Sequence, residues 1–261
     1  MLRCSRWVRA QSSTILGVNT FRDMLLNARS LDDFRTVSES FPLTPQDGCY
    51  LVYRATKRLP ENEQSQLSRQ AWLLKVISSC VYQLDACTPK DSTMLLTTLA
   101  KLGMSNKSFI QPIVLTLTYR LQELSALELA NTIWALATLN HHHSGLLKNL
   151  AQRAEGVVAE FKPRELAIIA WSFASLSFKH DTLLDKIALH AESSIAQANS
   201  QALSNLAWSY SKLKYPKVAL FDSIAASVIH RLGKYTPSYF TRFASFIILT
   251  SERKFSSCVR L

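Results

Sequence analysis

LANTIWALATL (129–139), LAIIAWSFASL (166–176) and LSNLAWSYSKL (203–213) are three versions of one phrase. Trp134, Trp171 and Trp208 recur every 37 residues within it. Self-similarity at a fixed period of this size is the signature of stacked structural units, each too small to bury its own apolar face. Extended outward from the tryptophans, the period divides the chain into units 87–123, 124–160, 161–197 and 198–234, with a partial unit 235–261. Leu102, Leu139, Leu176 and Leu213 share a slot, as do Pro89, Pro163 and Pro237. Thr88, Ser125, Asn199 and Thr236 precede the proline slot, which is the place for a helix cap. Asp91 and Glu128 follow Thr88 and Ser125 by three residues and complete capping boxes, while Glu165 adds an acid to a positive helix start.

Each unit therefore opens with a helix of about 14 residues, helix A, followed by a polar connection of about five residues and a second helix, helix B, over 146–160, 183–197 and 220–234. Helix A is apolar on two sides. One stripe is Leu129, Thr132, Leu136 and Leu139, and the other pairs small residues with tryptophan, as in Ala130, Ile133, Trp134 and Ala137. Such a helix is flanked by neighbours on both sides. The fold expected is all-α, an α-solenoid of stacked helical hairpins, with the tryptophans packed in the seam between helices as architecture rather than as stacking platforms. Only six glycines in 261 residues agree with a helical chain.

Subtracting both apolar stripes leaves a side of helix A holding Asp91, Met94, Thr98 and Lys101, then Glu128, Asn131, Ala135 and Thr138, then Glu165, Ile168, Ser172 and Ser175, then Ala202, Asn205, Ser209 and Lys212. Short polar side chains that vary on a repeated helix are what one-base-per-repeat RNA readers present, although a solvated face would also look this way. The base-facing candidates are Asn131, Thr138, Ser172, Ser175, Asn205 and Ser209. The formal charge of +11 is uneven, with +4 in residues 1–22 and +7 in residues 198–261. A basic patch suits a polyanionic partner. Lys101, Lys212, Lys214, Lys217, Arg231, Lys234 and Arg242 are the candidates for phosphate contacts, which supply affinity without sequence preference. Lys107, Arg153, Lys162 and Arg164 add scattered charge.

Residues 1–22 carry Arg3, Arg6, Arg9 and Arg22, several serines and no acid, the composition of an organellar transit peptide. Import into the mitochondrial matrix is the expectation, ahead of a plastid. Residues 23–86 read as a divergent helical segment, with short helices at 21–28 and 31–38, a helical pair over 43–86 and a polar loop at 60–66. The five cysteines show no metal-ligand spacing and read as reduced packing thiols. No metal or cofactor is expected. His141, His142 and His143 fall in an A–B connection and lack partners at ligand spacing. No phosphate loop, dinucleotide fingerprint or nucleophile motif occurs, so the sequence supports no catalysis. No apolar run is long enough for a transmembrane helix.

The phrases NTIWALATL, AIIAWSFASL and SNLAWSYSKL resemble the "LANTAWALA"-type helical repeats of organellar RNA-binding proteins. That group includes octotricopeptide and heptatricopeptide arrays, the helical part of FAST-kinase-like proteins, and the kinetoplastid RNA-editing substrate-binding complex domain. The resemblance covers roughly residues 87–250, and more weakly 19–86. It implies a protein that binds single-stranded organellar RNA, together with other ribonucleoprotein subunits, in processing, stability, editing or ribosomal RNA maturation. Many such proteins carry a C-terminal RAP domain; this sequence stops at Leu261 within a fifth repeat, so a nuclease-like role gains nothing from the resemblance. The competing expectation is a protein–protein scaffold that uses the same solenoid surface.

Overall fold

The protein is described by a computed structural model that covers residues 20–231. It is an α-solenoid, with no strand among the described residues. Two short helices lead, α1 (Phe21–Asn27) and α2 (Leu31–Ser40). Five A–B pairs follow: α3 (Pro45–Arg58) with α5 (Ala71–Tyr82), α6 (Pro89–Lys101) with α7 (Lys107–Tyr119), α8 (Ala126–Thr138) with α9 (Ser144–Gly156), α10 (Pro163–Ser175) with α11 (Asp181–Ser193), and α12 (Ser200–Lys212) with α13 (Val218–His230). One further helix, α4 (Glu61–Leu67), lies inside the first pair.

The A helices from α6 onward start at 89, 126, 163 and 200, and the B helices at 107, 144, 181 and 218, so the 37-residue period is kept in space. The local chemistry repeats with it. Thr88 and Ser125 accept from the backbone N–H of Asp91 and Glu128, whose carboxylates accept in return from the cap N–H. Asn199 Oδ1 takes the N–H of Ala202 at 2.8 Å. Every regular A helix ends in the same left-handed residue: Gly103, Asn140, Ser177 and Lys214 have φ of 65°, 52°, 53° and 51°. The next N–H then reaches back to the carbonyl five residues earlier, as in Phe178 to Phe173 and Tyr215 to Tyr210, both 2.9 Å. The same pairs of side chains make the apolar contact that accompanies this C-cap, with ring centroids 5.5 and 6.3 Å apart.

The B helices differ from expectation at both ends. They begin two residues earlier than 146, 183 and 220, because His143 and His180 accept the N–H of Leu146 and Leu183 on Nδ1 and act as the caps. Asn106, His143, His180 and Lys217 are thus one slot, the residue before each B helix, and the histidine run serves helix initiation there. At the other end the chain leaves the helix at Arg120, Val157, Ser194 and Arg231. Separate 3-10 turns, Leu84–Ala86, Leu121–Glu123, Val158–Glu160 and Ile195–Gln197, then lead into the next unit.

The polar stretch 60–66 is not a loop but the helix α4. Pro60 precedes its first turn, Leu67 is fully buried, and Glu63 accepts the N–H of Leu31 at 2.9 Å. A buried anchor and a tertiary hydrogen bond order a segment whose composition alone reads as solvated. The step from Pro45 to Pro89 is 44 residues where the later units take 37, and these seven extra residues equal the length of α4. Cys49, Cys80 and Cys87 are free and buried at the junction of α3 and α5. Gly48 is needed there, since a Cβ would stand 2.6 Å from Cys80 Sγ.

The core is one continuous strip through all pairs. Successive A helices pack along much of their length, whereas successive B helices touch far less. Closer approach on the A side curves the stack, with A helices inside and B helices outside. The segment 1–19, and with it nearly all of the expected transit peptide, lies outside the described residues. Phe21 and Arg22, assigned to that peptide, belong to α1, whose cap is Thr20. The partial unit 235–261, Lys234 and Arg242 also lie outside the described residues.

Candidate nucleic-acid interface on the A helices

In α8, Ala126, Leu129, Ala130, Thr132, Ile133, Ala135, Leu136 and Ala137 are all buried. What stays accessible is a narrow strip, Leu127, Asn131, Trp134 and Thr138, spaced 4, 3 and 4 as on a single helix edge. The same strip is Arg164, Ile168, Trp171 and Ser175 on α10, and Gln201, Asn205, Trp208 and Lys212 on α12. On α6 it is Lys90, Met94, Thr97 and Lys101. With the 44-residue step taken into account, it is Gln46, Tyr50, Tyr53 and Lys57 on α3.

This corrects the sequence reading by a rotation of one residue. The slot expected to face outward, filled by Thr98, Ala135, Ser172 and Ser209, is 0–1% exposed. Ser172 and Ser209 are therefore not on the groove surface; their hydroxyls bond the backbone oxygens of Ile168 and Asn205 at 2.7 and 2.5 Å. The tryptophans, expected in the seam, are half-buried and sit on the open side. The physical reason is close packing. Helix axes 8–10 Å apart admit only small side chains between them, so alanine and serine take the seam and the large ring is pushed to its rim. A small polar residue is then the better seam filler, because its hydroxyl can turn back onto its own helix.

The strips merge into one groove of about 770 Å³ that runs from α3 to α12. Tyr53, Trp134 and Trp171 line it, together with Asn131, Ile168, Gln201 and Asn205. Its cations are Lys57, Lys101 and Arg164, and none of them has a carboxylate partner among the described residues. The ammonium groups of Lys57 and Lys101 stand 5.8 and 5.9 Å from the centre of the Tyr53 ring, one from each of two successive A helices. The lining carboxylate, Glu165, accepts the N–H of Lys162 at 3.0 Å and so caps α10. The side-chain amides of Asn131 and Asn205 make no hydrogen bond within the described residues, and neither do the indole N–H groups of Trp134 and Trp171.

The remaining candidates separate. Thr138 is exposed at the end of α8, with its hydroxyl on the Trp134 carbonyl at 2.9 Å, and Ser175 is half-exposed in the same slot of α10. Lys212 is exposed there on α12, in line with Lys57 and Lys101. Lys214 is exposed on the A–B turn. Lys217 is engaged on the outer side, with Nζ 2.6 Å from Asp185 and 5.2 Å from the centre of the Tyr215 ring. Lys217 and Tyr215 hold the Asp185 carboxyl below the usual carboxylate range, and the same hydrogen bond pushes the Tyr215 phenol up to about 12. Arg231 is a structural tie rather than a free cation. It donates to the carbonyls of Ala198 at 2.6 Å and Ala196 at 2.5 Å. Arg120, the same slot three units earlier, does this to Cys87 at 2.7 Å, and Arg153 reaches Leu124 at 3.4 Å.

Sequence reasoning did not place Tyr53, Lys57 or the tryptophans in the groove. The signal for the first two was present: the cap-then-proline start at Thr44-Pro45 aligns Tyr53 with the tryptophan slot and Lys57 with Lys101, once seven residues are set aside.

Fold and groove together define a helical-repeat protein whose inner face offers unpaired cations, free amides and half-exposed rings. The chain matches the family model described as RNA-editing substrate-binding complex 6 protein over residues 66–242, more than half of its length. It belongs to that family, one of helical-repeat proteins tied to RNA editing and to a multi-subunit complex. No curated protein matches the chain. Among the described residues no helix is long and apolar enough to cross a membrane.

Proposed function

We propose that the protein is a non-catalytic RNA-binding subunit that acts in the mitochondrial matrix on transcripts undergoing editing, and that single-stranded RNA lies along the A-helix groove. The observation that carries this reading is the set of uncommitted polar groups in the groove: three unpaired cations, Lys57, Lys101 and Arg164, and three free carboxamides, Asn131, Gln201 and Asn205. Arg120, Arg153, Arg231 and Lys217, by contrast, are engaged in ties to backbone or carboxylate. Lys57, Lys101, Arg164 and Lys212 would meet phosphates, and Asn131 and Asn205 would meet base edges, with Thr138 and Ser175 at the rim. Family membership and the Arg- and Ser-rich start of the chain support the organelle. Amides, lysines and rings are binding groups.

Titrating the full chain with labelled single-stranded RNA over a salt series tests this. Each phosphate contact contributes about 0.7 to the slope of log affinity against log salt. Replacing Lys57, Lys101 and Arg164 together by Gln should lower that slope by about 2. A wild-type protein that ignores RNA, or a triple variant with an unchanged slope, overturns the assignment.

The scaffold reading gains one observation of its own. Tyr82 and Tyr119 end successive B helices in the same slot and are 89% and 82% exposed, a feature suited to a protein partner on the outer side. It adds a second face and does not compete for the groove.

A further inference from the structure

The half-buried position of the tryptophans has a functional consequence that the fold does not require. A ring needed only as filler in the A–A seam would be enclosed, yet Trp134 and Trp171 each keep an edge in the groove with the indole N–H unbonded. They stand in the same slot of adjacent helices, Trp208 continues the column, and Tyr53 occupies that slot on α3. Packed helix axes lie about 8–10 Å apart, and side chains on the inner side of a curved stack converge further. One nucleobase between two rings needs about 7 Å, twice the roughly 3.4 Å spacing of stacked bases.

We propose that Trp134 and Trp171 form a stacking site for one unpaired nucleobase, held between rings of successive repeats, with Asn131 beside it to read the base edge. This inference rests on the RNA reading of the groove and specifies its base-binding chemistry. Every base offers a π-face, so stacking on the column would supply affinity for single strands with little sequence preference, while the amides supply what preference there is. Duplex RNA keeps its bases stacked on one another and offers nothing to the rings. The column then explains a difference between neighbours: in α6 the slot holds Thr97, flanked by Lys90 and Lys101, so that repeat contributes charge where the next ones contribute rings.

The test measures binding of a single-stranded oligonucleotide to the full chain and to Trp134→Leu, Trp171→Leu and the corresponding Phe variants, by anisotropy and by quenching of intrinsic fluorescence. Leucine should weaken binding by roughly 5-fold or more at each site, in the range seen for stacked bases, and remove part of the quench. Phenylalanine should restore most of the affinity. The salt slope should stay the same in all four, because the cations are untouched, and a duplex of the same sequence should not discriminate among them. If leucine variants that melt like wild type bind as tightly as wild type, stacking is wrong while RNA binding stands. If the wild type shows no salt-dependent RNA binding, or the groove takes up a protein segment instead, both readings fall. Should a leucine variant unfold, threonine, which this slot carries as Thr97 in α6, replaces leucine in the same comparison.

Discussion

The A layer and the B layer are built from the same number of helices at the same period, yet they use polar side chains in opposite ways. On the B side and in the connections, several charged groups close on one another or on backbone. Arg120, Arg153 and Arg231 tie the ends of α7, α9 and α13 to the turn that leads into their own unit, Lys186 pairs with Glu155 at 3.0 Å, and Lys217 pairs with Asp185. On the A side the seam is mostly apolar, with Ser172 and Ser209 turned back onto their own helices, and the cations that reach the groove have no carboxylate partner among the described residues. Charge by itself therefore says little about binding in this molecule. A cation that has an internal partner holds the stack together; one without a partner is available to a ligand.

The comparison can be broken most severely in the seam. Ala135 and Ala170 are fully buried between A helices, so replacing both by Leu should overpack the stack and cost about 4 kcal/mol in total. Thermal and denaturant unfolding measure this, and a loss under 1 kcal/mol would mean that the A helices are not in close contact. Next comes a tie on the outer layer. Arg231→Met leaves the carbonyls of Ala196 and Ala198 without their charged donor, and should destabilise by about 2 kcal/mol while leaving the salt slope of RNA binding unchanged. A lowered slope would return Arg231 to the phosphate contacts. The smallest effect separates the two roles at one residue. Lys214 has a φ of 51°, so Lys214→Gly should relieve backbone strain and stabilise by about 0.5 kcal/mol, glycine's freer unfolded state offsetting part of the gain. If Lys214 also touches a phosphate, the same variant lowers the slope by about 0.7. Stability and slope then move in opposite directions.

Much of the site was legible in the chain, but displaced by one position on the helix. Hydrophobicity assigns tryptophan to the core and serine to the surface, which is right for most helices lying on a core. Here two neighbours of the same kind press on the A helix, and the limiting quantity is the width of the seam rather than the polarity of what fills it. Asn131, Asn205 and Lys101 were found because their slot is outward under either rotation. Ser172 and Ser209 were misplaced because theirs is not. Tyr53 and Lys57 were out of register until α4 accounted for the seven-residue insertion, and α4 itself could not be read because its order comes from Leu67 and Glu63 reaching other helices.

The sequence by itself determined the repeat, its period, the caps that start each A helix and the all-α stack, because all of these follow from local chemistry recurring at one interval. Only the tertiary structure decided which side of that helix faces the groove, which cations are free and where the rings point. Those depend on how closely two helices approach, a property of pairs of units that no single unit carries.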